Sequence, residues 1–413
     1  MISSNPVRGA RDILPQEMLI RDTLEQKILS IYRQHGFSRI ETPALENIDL
    51  LLGSEGGENL KMLFTILKRG DKLKVHENST TRDLCDMGLR FDLTLPLSRF
   101  YANNAQTLEL PFKAIQIGNV FRAERPQKGR FRSFKQCDID IIGDPTVSAE
   151  MELISTTAKA LLAIGFEGFT IKVNDRKLLN AFIKKAGFAE EDIPSICISL
   201  DKADKIGSDG VKQELMDKGY DEAMVTAFVD AASDISLDNI GDKVDEPEAV
   251  ADLKRVIETG RSLAEGRYKI VFDFSLIRGM GYYTGQIFEV SYGPYGFSIA
   301  GGGRYDNMIG KYAKTSVPAV GFSIGFERIV TILMEERADR MAGGARIVLF
   351  YDAVNHDMAQ VIRFADTLRA QGKTVNLTAM KKKFGKQIGY YADKGYDGFM
   401  VFGRDEAVRS FED

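Results

Sequence analysis

Hydrophobic positions along the chain follow two periods, and the switches between them mark its elements. Ile20, Leu24, Ile28 and Ile31 recur at three- and four-residue spacing, which predicts a helix over 17–35 that Gly36 terminates. A strand is expected next, ahead of Pro43. Two further strands are predicted between Ala114 and Gly143, flanking the segment RPQKGR as a hairpin with a longer loop. In the second of these, Gln136, Asp138 and Asp140 alternate with Cys137, Ile139 and Ile141, so one face enters the core and the other is polar. An amphipathic helix is read over 147–164 and a strand at Phe169–Val173. From about 175 to 265 the pattern breaks into short polar helical segments with loops such as KIGSDG, the texture of an inserted module. Strands resume at 269–276, 286–292 and 319–324, the last running into a helix from about Gly325. MAGGA (341–345) reads as a linker. Beyond it, strands near 346–351, 373–378 and 397–402 alternate with helices in a parallel order. The expected plan is a discontinuous α/β (α+β) core over 1–174 and 266–340, a helical insertion over 175–265 and a small α/β domain over 346–413.

Composition narrows what such a chain can do. Its 413 residues suit two or three domains, and 44% hydrophobic with 28% charged residues is an ordinary globular balance. No apolar run is long enough to span a membrane, and the start MISSNPVRGARDILPQ has no apolar signal core, so the cytoplasm is expected. Cys85, Cys137 and Cys197 are 52 and 60 residues apart, a spacing that suits neither a metal knuckle nor a disulfide framework; reduced, buried thiols are expected. His35, His76 and His356 each stand alone, which leaves few candidates for a zinc site or a histidine-based triad. A net charge of −4 argues against general coating of nucleic acid. Any polyanion must meet a local patch, and Arg122, Arg125, Lys128, Arg130, Arg132 and Lys135 supply one, opposed only by Glu124.

Two phosphate-loop look-alikes fail on spacing. Gly372-Lys373-Thr374 has Thr367 where a P-loop needs its first glycine, so it reads as a helix-to-strand turn. Gly301-Gly302-Gly303 lacks the dinucleotide-binding spacing and is expected to form a turn, braced by Tyr305 and Asp306, where backbone approaches a ligand. Arginine instead concentrates with carboxylate or tyrosine in LRFDLTLP (89–96), FRAERPQKGRFRSFKQCDID (121–140), IRGMGYYTG (277–285) and GFSIGFERIV (321–330). Arginines on a sheet face suit a triphosphate, because the guanidinium fork binds phosphate oxygens bidentately and stays charged. Carboxylates beside them suit an ammonium. Together they describe an amino acid next to ATP, whose carboxylate attacks the α-phosphorus without needing a general base.

The order and spacing of RGARDILP, GFSRIETP ending at Pro43, FRAERPQKGRFRSFKQ and GFSIGFERIV, together with NDRKLL (174–179), LIRGMGYYTG and AGGGRYD (300–306), resemble the histidyl-tRNA synthetase family of class II aminoacyl-tRNA synthetases over nearly the whole chain. The resemblance implies an antiparallel-sheet catalytic core, a helical insertion and a C-terminal α/β anticodon-binding-like domain. It also implies a histidine--tRNA ligase activity: L-histidine and ATP, with Mg²⁺, give histidyl-adenylate and diphosphate, and transfer to tRNA(His) then releases AMP. By the same resemblance Arg122 and Arg278 are catalytic, with Arg122 on the α-phosphate and Arg278 near the α-phosphate and substrate carboxylate. Glu124 meets the adenine amino group, Phe134 stacks on adenine with Arg328 against its other face, and Arg130 and Arg328 reach the terminal phosphate. Asp92, Thr94, Gln136 and Asp140 ring the histidine amino and carboxylate groups, with Tyr282 and Tyr283 around the imidazole. Gln127 and Arg130 face the acceptor end of the tRNA. No side-chain cluster holds a metal, and the helix over 17–35 with its strand implies a homodimer.

Some features depart from the family's pattern. Gly281 stands where many members carry aspartate, and Asp92 where many carry glutamate. The tail is short for the family's domain, and is expected to keep three strands with one edge and one apolar face open. Within it Lys381, Lys382 and Lys383 offer either an RNA grip or an exposed helix start. Asp138 and Glu327 are read as structural partners. Two rivals remain: a catalytically inactive histidine-binding paralogue acting as the regulatory subunit of ATP phosphoribosyltransferase, and an enzyme that activates an amino acid for another acceptor.

Overall fold

The computed structural model describes residues 4–53, 62–125, 131–277, 282–293, 295, 297–313, 315–336 and 345–411. Arg278, Gly281, Gln127, Lys128, Arg130 and residues 341–344 of the expected linker lie outside them. The chain divides into two compact units, Met1–Ile13 with Leu24–Met334, and Leu14–Thr23 with Glu335–Asp413.

The first helix runs Pro15–Gln34 and ends at Gly36, whose φ of +80° is the left-handed conformation that closes a helix. Its buried apolar positions are Ile20, Leu24, Ile28 and Tyr32; Tyr32 takes the place expected of Ile31, one residue round the helix.

An eight-stranded sheet dominates the first unit in the order β1-β5-β6-β11-β10-β9-β7-β8, formed by Ser38–Arg39, Phe112–Phe121, Ser133–Ile142, Ala319–Ile324, Ser298–Arg304, Gln286–Ser291, Thr170–Asp175 and Lys269–Phe272 respectively. Its centre is antiparallel, from β5 through β6, β11, β10 and β9 to β7; only the edge pairs β1–β5 and β7–β8 are parallel. The alternation expected of β6 is present: Cys137, Ile139 and Ile141 are fully buried on one side of the strand. A separate three-stranded sheet, β2-β4-β3 (Leu45–Asn47, Cys85–Leu89 and Thr65–Leu67), was not legible in the sequence, because two of its strands are only three residues long.

The glycine run 301–303 corrects one expectation. It is no turn but the middle of β10, paired on both sides. A Cβ on Gly302 would lie 1.9 Å from the Gly321 carbonyl oxygen, and one on Gly303 would lie 2.7 Å from that of Gln286, so side chains are excluded there by neighbouring strands. Between β7 and β8 the chain is helical, with Arg176–Lys185, Ile193–Leu200, Ala203–Asp217, Glu222–Ser233, Ile240–Lys243 and Pro247–Ala264. KIGSDG falls where two helical stretches within Ala203–Asp217 meet, a tight break at Gly207 with φ +70° and ψ 173°. All three cysteines are free and buried.

In the second unit β12 (Arg346–Tyr351), β13 (Thr374–Ala379) and β14 (Gly398–Val401) form the expected parallel set. Gly372, with φ +83°, makes the expected helix-to-strand turn. The expectation of three strands with an open apolar face does not hold. A short antiparallel β15 (Arg409–Ser410) lies along β14. Ile347 and Leu349 pack under helix Met358–Ala370, while Val348 and Phe350 pack against Phe384 and Ile388 of helix Phe384–Asp393, so both faces are covered. Lys381, Lys382 and Lys383 are exposed just ahead of that second helix.

Candidate active site

A cavity of about 640 Å³ opens over the central strands of the large sheet. It is lined by Asp92, Thr94, Arg122, Glu124, Phe134, Gln136, Asp138, Asp140, Tyr282, Tyr283 and Arg328, together with Ser298, Gly301–Gly303, Tyr305, Gly321, Ser323 and Glu327. Every expected ATP- and histidine-site residue among those described is therefore in one place. The two-residue period of β6 aligns Phe134, Gln136, Asp138 and Asp140 on the cavity side, a row about 20 Å long at 3.4 Å per residue.

The chemistry changes along that row, from guanidinium groups to buried carboxyl groups. At the Phe134 end, the Arg122 guanidinium lies 5.1 Å from the Phe134 ring centre and its Nε donates to the Phe91 carbonyl at 3.0 Å. Arg328 belongs to this end too, since Nη1 bonds Ser298 at the start of β10 and the guanidinium lies 5.3 Å from the Phe297 ring. At the other end are carboxylates. Asp140 accepts from the Tyr305 hydroxyl at 2.6 Å, and Asp138 accepts from Ser323 directly across the β6–β11 pair. Asp92 is held beside the start of helix Thr94–Asn104, with Oδ1 accepting from Leu95 N at 3.2 Å.

Burial in this cavity favours neutral acids. Desolvation lifts Asp92 to about 6, against the Leu95 N–H and Arg122, which favour the anion. It lifts Asp140 to about 7, against the Tyr305 hydroxyl, with Asp92 adding to the rise. Asp138 is pushed well up by desolvation and then by the neighbouring Asp140. Asp92 Oδ2 and Gln136 Oε1 are buried and accept no hydrogen bond. Buried acceptors of this kind are costly unless a donor arrives, so the carboxylate end is built to receive a cation rich in N–H groups. Tyr282 and Tyr283 stand against one another with ring centres 4.7 Å apart, and Tyr282 meets Tyr305 edge-on at 6.1 Å.

Several conspicuous charged residues work elsewhere. Arg132 is bound to backbone, donating to the carbonyls of Glu124, Arg8 and Ala123, while its own N–H meets Gly9 O. It thereby fastens the RGARD segment. Lys135 pairs with Glu25 at 2.5 Å. Arg90, in the LRFDLTLP segment, is buried among the carbonyls of Asn119 and Thr42. Tyr305 braces Asp140, Asp306 accepts from Arg304 and Ala319 N, and Glu327 accepts from Lys135 N and pairs with Arg11 at 3.6 Å. Ser298 and Ser323 line the cavity without having been singled out; the alternation of β11 was the available signal for Ser323. A smaller cavity of about 310 Å³, lined by Arg176, Asn180, Asn307 and Lys311, shares Tyr282 and Tyr283. Among the described residues no group of three or more His, Cys, Asp or Glu is arranged to hold a metal, and no helix is long and apolar enough to cross a membrane.

Comparison with known proteins decides the family. The model of the histidyl-tRNA synthetase family matches residues 9–329. The chain belongs to the histidyl-tRNA synthetase family. A histidine--tRNA ligase of Leifsonia xyli subsp. xyli is 41% identical over 97% of this chain and 95% of its own length. One of Flavobacterium johnsoniae is 33% identical over 98% and 93%. The crystal structure of histidyl-tRNA synthetase from Nostoc sp. PCC 7120 superposes with a TM-score of 0.81 at 26% identity, covering 98% of this chain and 93% of that one. A Bacillus halodurans structure described as an ATP phosphoribosyltransferase regulatory subunit/histidyl-tRNA synthetase shares the fold, with a TM-score of 0.77 at 21% identity over 97% and 98%. Family membership makes the chain an aminoacyl-tRNA synthetase, an enzyme of the class that uses ATP.

Proposed function

We propose that this chain is a histidine--tRNA ligase that activates L-histidine with ATP and transfers it to tRNA(His), releasing diphosphate and then AMP. The observation that carries this is the change along β6 from guanidinium groups at the Phe134 end to buried carboxyl groups toward Asp140, with Asp92 Oδ2 and Gln136 Oε1 left without a donor in the cavity between. In this reading the α-ammonium of histidine fills the gap between Asp92, Thr94, Gln136 and Asp140, while Tyr282 and Tyr283 flank the imidazole. ATP enters as its Mg²⁺ complex, with Glu124 on the adenine amino group, Phe134 and Arg328 on the two ring faces, and Arg130 on the terminal phosphate. The histidine carboxylate then attacks the α-phosphorus in line with the departing diphosphate. Its lone pair is already available, so no side chain has to remove a proton. Arg122 and Arg278 neutralise the charge that builds on the α-phosphoryl oxygens, a contribution that grows in the transition state.

The same reading takes 175–265 as an insertion in the catalytic core, 346–413 as an anticodon-binding-like domain, and the acceptor end of the tRNA as facing Gln127 and Arg130. It includes a homodimer in the cytoplasm, which sedimentation at micromolar concentration checks. Histidine-dependent exchange of labelled diphosphate into ATP tests the chemistry. Arg122→Ala is expected to cut exchange by about 10²–10³-fold, the cost of one preorganised transition-state contact. Arg122→Lys should also be damaging, because a point charge does not reproduce the fork. Histidine binding without any exchange would overturn the ligase reading in favour of a histidine-binding regulatory protein.

A further inference from the structure

The cavity contains a polar chain that joins Gln136 to two residues, Ser323 and Asp138, that the roles above do not use. Gln136 Nε2 donates to Ser323 Oγ at 3.2 Å, and Ser323 Oγ in turn donates to Asp138. Antiparallel pairing of β6 with β11 sets Asp138 opposite Ser323, and Gln136 two residues along the same face reaches the hydroxyl diagonally. All three side chains line the cavity, and Gln136 Oε1 is buried in it with no donor.

The direction of this chain follows from donor counting. A serine hydroxyl has one proton to give, and an ionised carboxylate can only accept. A cation in the cavity favours ionised Asp138. Ser323 then spends its proton on Asp138 and can only accept from Gln136, which forces the NH₂ side of the amide toward Ser323 and the carbonyl into the cavity. Without Ser323 the amide can turn over. Its NH₂ group would then face the substrate ammonium, donor against donor.

We propose that Ser323 and Asp138 are positioning residues for amino-acid recognition, forming a relay that locks the Gln136 carbonyl toward the substrate ammonium. This rests on the reading of the cavity as a histidine site. It assigns to two residues outside the expected contact set a share in discriminating histidine from analogues without an amino group.

The test measures binding by calorimetry of histidine, of imidazolepropionate, which lacks the ammonium, and of ATP. Ser323→Ala is expected to weaken histidine by about 10- to 30-fold, the scale of a misdirected hydrogen bond to a charged group. Imidazolepropionate and ATP should change by less than about twofold, and Ser323→Thr, which keeps the hydroxyl, should recover most of the histidine affinity. The double variant Ser323→Ala/Gln136→Met should be no weaker than Gln136→Met alone, because the relay acts only through that amide. Equal losses for histidine and imidazolepropionate, or additive losses in the double variant, would overturn the relay while leaving the histidine site standing. Failure of the unaltered protein to bind histidine at all would overturn the site and the relay together.

Discussion

Acidifying the empty protein should stabilise it, and Asp140 should carry a measurable part of the gain. Burial lifts its carboxyl from 3.8 to about 7, the Tyr305 hydroxyl opposing the rise and Asp92 adding to it, with Asp138 two residues away on the same face. A group whose folded pKa lies above its unfolded value contributes stability that is complete below the unfolded value and is lost as pH rises through the folded one. For these values the contribution changes by about 3 kcal/mol between pH 5 and pH 8, the more acidic condition being the more stable. Asp92 and Asp138 are raised in the same way and titrate alongside it in the whole protein. Asp83 and Asp352, held low first by backbone N–H groups, lose their contribution only below the ordinary carboxylate range, outside this window. The readout is therefore the difference in urea unfolding free energy between the unaltered protein and Asp140→Asn, measured at several pH values. Asparagine is neutral throughout, so that difference should tilt toward the unaltered protein by about 3 kcal/mol on going from pH 8 to pH 5. Saturating histidine should shrink the tilt, because a bound ammonium favours the ionised carboxylate. A difference that stays constant across the range would refute the assignment of a neutral Asp140 in the empty cavity.

Further outcomes follow from other contacts. Arg304 is buried and makes a two-pronged ion pair with Glu150 at 2.5 and 2.7 Å, so Arg304→Met should cost about 3–5 kcal/mol in urea unfolding by stranding the carboxylate. The pair replacement Arg304→Met/Glu150→Leu should cost clearly less than the single change. In Gly321→Ala the new Cβ would lie 2.0 Å from Asp140 Oδ1, forcing that carboxylate off the Tyr305 hydroxyl. The KM for histidine in diphosphate exchange should rise by about tenfold with the KM for ATP little changed, as for one lost hydrogen bond to a charged group. Neutralising Lys381, Lys382 and Lys383 together should lower the charging of full-length tRNA relative to a minihelix without an anticodon; equal charging of both substrates, indifferent to the change, would remove RNA binding from the tail.

The elements that carry the site were legible because their signal is local. The alternation of β6, the strand β5 that pairs with it and the helix Phe326–Glu336 after β11 each follow from a period of 2 or 3.6 that a short window contains. The polar face Gln136, Asp138 and Asp140 was readable for the same reason, and the order of the arginine-bearing motifs carried the family resemblance. What each charged group is used for was not readable. Arg122, Arg90, Arg132 and Arg304 look alike in sequence, yet Arg122 lines the cavity while the other three are spent on backbone carbonyls or a buried carboxylate. That division depends on partners 8 to 154 residues away, which no local pattern encodes. The glycine run shows the same limit. A run of three suggested a turn, but the reason for it is the approach of Gly321 and Gln286 from the two flanking strands, and those neighbours exist only once the sheet has assembled. Sequence periodicity thus determined which face of β6 could meet a ligand. Cross-strand register decided which of the polar groups on that face are satisfied by protein and which are left for substrate.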